Sequence, residues 1–241
     1  MPEARSPWAD DMLHGRLLAG LAARAVEDTG HDSEIRLVRL TVDMFRTPPM
    51  TAYHVATRVI RDGRRVRVAE VSIRSADAEV ARASALLLRG GPHPSGTVWR
   101  APEWDAPPPE TLPSPDGDYG GWDIRLLSPG GFWTADRKRV WTRDRWQLVA
   151  GEEPSPTVRA ALAADLPNPL ANSGADGLEF INADLTLLLA RPPVSDWIGL
   201  EVADHLGHNG VAVGSCTLYD TSGAIGRSSV CAITNTATLR E

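Results

Sequence analysis

The side chains that could carry out a reaction are few, and the most informative is a single carboxylate. Asp165 follows the alanine-rich run Ala160–Ala164 and precedes Pro167. A carboxylate can act as a general base, because it can take a proton from water and so make the water nucleophilic. An aspartate that ends a helix and points to solvent has the same local sequence. The residues around Asp165 alone favour this second interpretation.

Other reactive residue types form weaker patterns. His205 and His208 precede a turn at Asn209-Gly210, where exposed loop histidines are common. Cys216 and Cys231 lie in apolar, strand-like runs without metal-ligand spacing, and we interpret them as reduced core residues. The sequence shows no phosphate-binding loop, zinc motif or Ser-His-Asp elbow. We therefore predict no metal and no cofactor.

Length, charge and hydrophobic pattern limit the class of protein. At 241 residues the chain forms one large domain or two small ones. Its net charge of −6 argues against nucleic acid as a partner, and the basic cluster Arg61–Arg65 is typical of an exposed strand edge. No apolar run reaches the roughly 20 residues of a membrane helix. The segment Met1–Arg5 lacks the apolar stretch of a signal peptide, so we expect a cytoplasmic protein.

The elements that would position these groups begin with a helix. Apolar residues at helical spacing predict a helix from Met12 to Glu27, with Asp10 and Asp11 at the positive end of its dipole and Gly30 closing it. Alternating patterns then predict a four-stranded antiparallel meander. Its strands are Arg36–Phe45, Tyr53–Arg61, Val66–Ser75 and Val80–Arg89.

The second half follows a change in composition. From Gly90 to Asp118 the chain is rich in proline and loses periodicity, which predicts an extended, semi-rigid linker. Most of the eight tryptophans fall between Trp99 and Trp146, where they pack this bridge onto the sheet or line an acyl tunnel. A helix follows with Ser155 as N-cap. The predicted strands are Trp122–Leu127, Arg139–Val149, Leu178–Ala190, Ile198–Leu206, Val211–Tyr219 and Ile225–Thr234.

The two halves repeat one another. Matching positions occur in the same order and at nearly constant offset: Leu40-Thr41 with Leu185-Thr186, Pro48-Pro49 with Pro192-Pro193, Gly63 with Gly210, and Arg82-Ala83-Ser84 with Arg227-Ser228-Ser229. We infer a duplication. It divides the chain into an N-terminal lobe (1–89), a linker (90–118) and a C-terminal lobe (119–241).

A helix followed by four antiparallel strands, used twice, predicts an α+β tandem hotdog fold. In such a fold each antiparallel sheet wraps a central helix, and the two sheets pair into one extended sheet. A ligand slot then forms between the lobes, because each helix end faces the partner lobe. The helix-free faces of the sheet make a homo-oligomer possible.

The sequence resembles the type II acyl-CoA thioesterases and their actinobacterial relatives. The resemblance covers both lobes but not the linker. The residues that carry it are His14-Gly15-Arg16-Leu17-Leu18-Ala19-Gly20, Arg39 to Arg46, Val59 to Arg65, Asp165-Leu166-Pro167-Asn168-Pro169-Leu170 and Phe180 to Thr186. The resemblance implies hydrolysis of a fatty acyl-CoA, or another acyl thioester, to the free acid and CoA.

The family's catalytic residues are an Asp on the second-lobe helix, a Thr in the following strand and a Gln near the C-terminal strand. By the resemblance, Asp165 is the general base and Asn182 stands at the Thr position, where its amide could position a water. The Gln position falls on Val230 or Cys231, neither of which replaces an amide, and Ser229 is the nearest polar candidate.

The resemblance also implies substrate-binding residues. Backbone N–H groups of Gly15 and Arg16 could stabilise the oxyanion at the helix start, although the Arg16 side chain could instead reach solvent. His14 either orients the ligand or caps the helix. Asn168 belongs to the Asn-Pro-Leu sequence that hotdog hydratases also carry.

Two alternatives remain open at this point. A non-catalytic acyl-thioester binding protein is favoured by the missing amide. A hotdog enoyl-CoA hydratase is disfavoured, because the position of its histidine holds Ala171. If hydrolysis is retained, His205, His208 or Ser229 could belong to a rearranged site.

Overall fold

The computed structural model describes residues 4–6, 9–29, 34–76, 78–100, 103–115 and 121–235. The first lobe contains strands β1 (Arg5–Ser6) and β2 (Ala9–Leu13), helix α1 (Arg16–Glu27), and strands β3 (Ile35–Met44), β4 (Tyr53–Asp62), β5 (Val66–Ser75) and β6 (Ala78–Arg89). The second lobe begins with β7 (Trp122–Leu126), β8 (Arg139–Asp144), α2 (Pro156–Ala163) and α3 (Pro167–Ala171). It continues with β9 (Ser173–Gly174), β10 (Gly177–Leu178), β11 (Phe180–Asn182), β12 (Asp184–Leu189), β13 (Ile198–His208), β14 (Val211–Asp220) and β15 (Gly223–Thr234).

One antiparallel sheet runs through both lobes in the order β4-β5-β6-β3-β12-β15-β14-β13-β8-β7, and β11 also pairs with β15. The prediction of a simple meander was wrong, because β3 pairs with β6 and not with its neighbour in sequence, β4. Strands β3 and β12 therefore lie side by side at the centre of the molecule. The prediction of a tandem hotdog fold is confirmed: each half-sheet covers a helix, and the halves join edge to edge.

An approximate two-fold axis passes between Thr41 and Thr186. These residues are repeat mates in sequence and lie opposite each other where β3 pairs with β12. Their hydroxyl oxygens are 3.0 Å apart. Only a residue on the axis can face its own counterpart. The pairing of β3 with β12 therefore lies on the axis that superimposes one copy of the repeat on the other.

Helix α1 begins at Arg16, four residues later than the apolar spacing predicted. The preceding residues form β2 instead, which pairs with β1, and the N–H of Leu13 donates to the carbonyl of Pro48 at 2.8 Å. Asp11 therefore lies in a strand and not in the first turn of the helix. Gly30 lies outside the described residues.

The two helices pack directly against each other and run antiparallel. A Cβ atom added to Gly20 would stand 2.6 Å from Cδ2 of Leu162, so the helix backbones approach closely because residue 20 has no side chain. The N-terminus of α1 therefore lies at the C-terminal end of α2. Each lobe contributes one helix to a common core.

The proline-rich bridge is fixed to the second lobe at Trp104. The indole of Trp104 stacks on Tyr219 with centroids 4.3 Å apart, and it lies against Trp141 at 4.7 Å. Trp141 Nε1 donates to the carbonyl of Pro107. Trp99, in contrast, is 80% exposed. The prediction that tryptophans pack the bridge onto the sheet thus applies to part of the bridge only.

Candidate active site

Asp165 lies in the turn between α2 and α3. Helix α2 begins as predicted, with the Ser155 hydroxyl accepting the N–H of Val158. It ends two residues before Asp165, and α3 then begins at Pro167. A proline at the first helical position is favourable, because that position needs no N–H donor. The aspartate does not point to solvent as a simple helix end would; its side chain is 13% exposed.

The carboxylate of Asp165 faces the N-terminus of α1 and has neighbours from both lobes. Asn182 Nδ2 donates to Asp165 Oδ1 at 2.9 Å, and a Cβ atom added to Gly15 would stand 3.5 Å from Asp165 Oδ2. His14 Nδ1 lies 3.8 Å from Asp165 Oδ2. The structure thus brings residues of the two lobes together. His14, Gly15 and Arg16 come from the first lobe, and Asp165 and Asn182 come from the second.

The protonation states at this site follow from burial. Burial raises the pKa of the Asp165 carboxyl, although the Asn182 amide and the Arg16 charge and backbone N–H act in the opposite direction. Burial, and then the charge of Arg16, lowers the pKa of His14 to about 3. His14 is therefore neutral, and its Nδ1 accepts the N–H of Arg16 at 3.4 Å. A raised carboxyl pKa brings Asp165 closer to the range useful to a general base.

The Arg16 side chain does not reach solvent. It forms an ion pair with Asp144 at the end of β8, and the side chains of the two residues are 3% and 9% exposed. Its guanidinium also lies 4.2 Å from the ring centroid of Trp122. Burial raises the pKa of Asp144, with Arg16 acting in the opposite direction. Arg16 thus joins the lobes beneath the site, and only its backbone faces Asp165.

A cavity of about 850 Å³ opens in front of Asp165. Its polar wall contains His14, Gly15, Asp165, Asn168 and Asn182. The remaining lining is largely apolar and comes from both lobes, including Met12, Met44, Phe45, Trp122, Ile124, Phe132, Trp133, Leu166, Leu178, Ile181 and Ile233. A mostly apolar cavity with a few convergent polar groups is typical of a small-molecule site. Trp122 and Trp133 belong to the tryptophans for which an acyl lining was one of two predictions, whereas Phe132 was not predicted.

Asn168 lines the same cavity and is itself 5% exposed. Its Oδ1 accepts the Nδ2 group of Asn172 at 3.0 Å, one helical turn further along α3. Asn172 Oδ1 in turn lies 2.9 Å from Nδ1 of His205. Asn172, the C-cap residue of α3, was not predicted, although the i, i+4 spacing of the two amides was a signal for it.

Ser229 does not belong to this group. On β15 its neighbour Ser228 is buried and donates to the carbonyl of Ala164 at 2.6 Å, so Ser228 faces the helices. Successive strand residues point to opposite faces, and Ser229 therefore lies on the face away from Asp165. Cys231 shares that outer face and is exposed, not a core residue as predicted.

Ala171 packs away from the cavity. A Cβ atom added to Gly214 would stand 2.8 Å from Cβ of Ala171, which places this face of α3 against β14. A histidine at position 171 would therefore not face Asp165 in this fold. Among the described residues no group of histidine, cysteine, aspartate or glutamate side chains could hold a metal ion.

The opposite end of the helix pair has a related arrangement. The hydroxyl of Ser155, at the start of α2, contacts both carboxylate oxygens of Glu27, at the end of α1, at 2.8 and 2.7 Å. Arg24 donates to both oxygens of Glu152 at 2.7 and 2.8 Å. None of these four residues lines the cavity. A carboxylate from each lobe thus faces the start of the other lobe's helix, and Asp165 lines the cavity described above whereas Glu27 does not.

Comparison with known protein families assigns the chain to a family. Residues 4–88 match the acyl-CoA thioesterase N-terminal domain, and residues 92–229 match the acyl-CoA thioesterase C-terminal domain. The chain belongs to the acyl-CoA thioesterase family, and the reaction class of the enzyme is hydrolysis of an acyl-CoA thioester. No curated protein matches the sequence of this chain.

Solved structures share the fold at low sequence identity. A conserved protein of unknown function with a hot dog fold from Alicyclobacillus acidocaldarius has a TM-score of 0.78 at 14% identity, with 98% of this chain and 90% of that chain covered. A putative thioesterase II from Thermobifida fusca has a TM-score of 0.73 at 18% identity, with the same coverage of 98% and 90%. The tesB protein of Mycobacterium avium subsp. paratuberculosis has a TM-score of 0.71 at 14% identity, covering 93% and 88%. No helix in the described part of the chain is long and apolar enough to cross a membrane.

Proposed function

We propose that the enzyme hydrolyses fatty acyl-CoA with Asp165 as the general base. The observation that supports this most directly is the position of the Asp165 carboxylate, which is buried in the cavity wall and faces the N-terminus of α1. The amide of Asn182 holds Oδ1 by a hydrogen bond of 2.9 Å. The other oxygen, Oδ2, faces His14 and the start of α1.

The reaction needs one proton transfer in each direction. A water beside Asp165 gives its proton to the carboxylate and attacks the thioester carbonyl carbon, which forms a tetrahedral intermediate with a negatively charged oxygen. In this proposal the N–H of Gly15, the N-cap residue of α1, stabilises that oxygen. The C–S bond then breaks, and the CoA thiolate takes the proton from Asp165. The products are the free acid and CoA.

The apolar part of the cavity suits the acyl chain. Trp122 and Ile124 from β7, together with Phe132 and Trp133 from the loop that follows it, offer one continuous apolar wall. Burial of an alkyl chain there contributes roughly 0.8 kcal/mol per CH₂ group. Recognition of the acyl group therefore rests on hydrophobic contact, and the polar wall is left for the reacting atoms.

The test is release of free thiol from a panel of acyl-CoAs of increasing chain length. Native protein is compared with D165N, in which an amide of the same shape cannot accept the proton. We expect kcat to fall by about 10³, within the usual range for loss of a general base. The matched control is E27Q at the opposite end of the helix pair, which is expected to keep native turnover.

Three results would count against the proposal. Binding of acyl-CoA by native protein without turnover would identify a binding module instead of an enzyme. Turnover that survives in D165N would remove Asp165 as the base while leaving the fold and family unchanged. Formation of 3-hydroxyacyl-CoA from an enoyl-CoA would indicate the hydratase reaction.

A further inference from the structure

The amide of Asn168 has a fixed orientation. Its Oδ1 is occupied by the hydrogen bond from Asn172 Nδ2. Among the described residues its Nδ2 group has no hydrogen-bond acceptor. Because Asn168 lines the cavity, this N–H₂ group is presented to the cavity as a donor.

The orientation of Asn172 is set in turn by His205. Nδ1 of His205 lies 2.9 Å from Asn172 Oδ1, and the hydrogen bond there leaves Asn172 Nδ2 for Asn168. Asn172 is 1% exposed and packs closely on the sheet, since a Cβ atom added to Gly214 would stand 2.8 Å from its Oδ1. The three side chains form a chain of hydrogen bonds from the exposed half of β13 to the cavity.

We propose that Asn168 Nδ2 acts as a side-chain amide donor in the site. The inference rests on the proposed function. Asn168 donates to the thioester carbonyl oxygen as it becomes negatively charged, from the second lobe, while the N–H of Gly15 donates from the first. Asn172 and His205 are positioning residues, because they do not contact the substrate and act only on the orientation of Asn168.

Asn168 itself is tested by steady-state kinetics with the acyl-CoA that native protein hydrolyses fastest. In N168A we expect kcat to fall by about 10²-fold, as is usual when one oriented oxyanion donor is removed. KM is expected to change by less than about threefold, because the bond strengthens only in the transition state. Equal changes in KM and kcat/KM at unchanged kcat would contradict this role.

The positioning residues are tested by a double-mutant cycle. We expect N172L to lower kcat about tenfold in the native background and to have no further effect in the N168A background. H205L, at an exposed position where loss of folding is not expected, should lower kcat severalfold in the native background only. The matched control is H208L on the same strand, which should retain native kcat.

The outcomes separate this inference from the function on which it rests. Absence of acyl-CoA turnover by native protein would overturn both. Native turnover that persists in N168A would overturn the inference and leave Asp165 as the base. An equal loss from N172L in the native and N168A backgrounds would show that Asn172 acts on the structure at large and not through Asn168. Thermal unfolding of each variant identifies any loss of folded protein.

Discussion

At both ends of the helix pair a carboxylate faces the start of the other lobe's helix, but the surroundings of the two carboxylates differ. At one end Asp165 faces the start of α1, and at the other Glu27 faces the start of α2. The Glu27 carboxylate is engaged by the hydroxyl of Ser155, next to an exposed Arg24–Glu152 pair. The Asp165 carboxylate lies beside Gly15, in front of a cavity of about 850 Å³.

The difference shows how duplication within one chain separates roles that a symmetric dimer must keep together. In a homodimer, a substitution that closes one site also closes the other. Here the serine hydroxyl and the surface ion pair hold one end, and the other end keeps an open carboxylate. Fold stability and chemistry therefore depend on different residues at equivalent places.

The largest difference between the two ends is expected in the free energy of unfolding, when the ion pair that joins the lobes at each end is removed. R16M leaves the Asp144 carboxylate buried without its partner and should lower the free energy of unfolding by about 3–5 kcal/mol. R24M removes a pair whose side chains are 36% and 44% exposed, and should cost about 0–1 kcal/mol. Urea unfolding of both variants measures the difference.

A double variant provides the control for that result. R16M/D144L replaces both charges by apolar side chains and should recover most of the lost stability. Similar losses for R16M and R24M would contradict the view that the lobes are joined differently at the two ends.

The pH dependence of turnover separates the two carboxylates. A general base works only when ionised, so kcat falls as pH drops through the pKa of Asp165. Burial raises that pKa, and the acid limb should therefore lie above the usual aspartate value of about 3.9. His14, with a pKa lowered to about 3, adds no limb near neutral pH.

Profiles of kcat against pH for native protein and E27Q should superimpose after scaling. A limb at or below pH 4 would argue against a buried base, and a limb that moves in E27Q would assign the titration to the wrong end of the molecule.

A small effect is expected at the helix cap of the end that carries Glu27. S155A removes the acceptor for the N–H of Val158 and the donor to Glu27, and should lower the free energy of unfolding by about 1 kcal/mol. Turnover should remain that of the native protein. A loss of turnover would mean that this end also contributes to catalysis.

Much of the fold could be predicted because it rests on local patterns. Alternation and turn signals placed Val66–Ser75 at its observed bounds, and the constant offset of the repeat identified the residue pair at the pseudo-two-fold axis. The register between β3 and β12 could not be read from either strand. Nor could the pairing of β3 with β6, since both depend on contacts between distant segments.

The site was predictable only where the family resemblance named a position. Asp165 and Asn182 are brought together as their assignment requires, with a hydrogen bond between them. Ser229 was chosen for nearness in sequence to a missing amide, and strand alternation turns it to the other face. The orientation of Asn168 depends on Asn172 and His205. These two residues lie far apart in the sequence, so their contact could not be predicted from a local pattern.

The bridge that carries Trp104 is the covalent link between the lobes, and its role differs between folding and the folded state. Residues 91–100 are exposed, and among the described residues of the bridge Trp104, which follows them, packs on the second lobe. Once the sheet is complete, strand pairing, helix packing and the Arg16–Asp144 pair hold the halves together without that stretch. A cut there would leave a two-fragment enzyme. The link therefore matters most during folding, when it keeps the two halves at a high effective concentration until β3 meets β12.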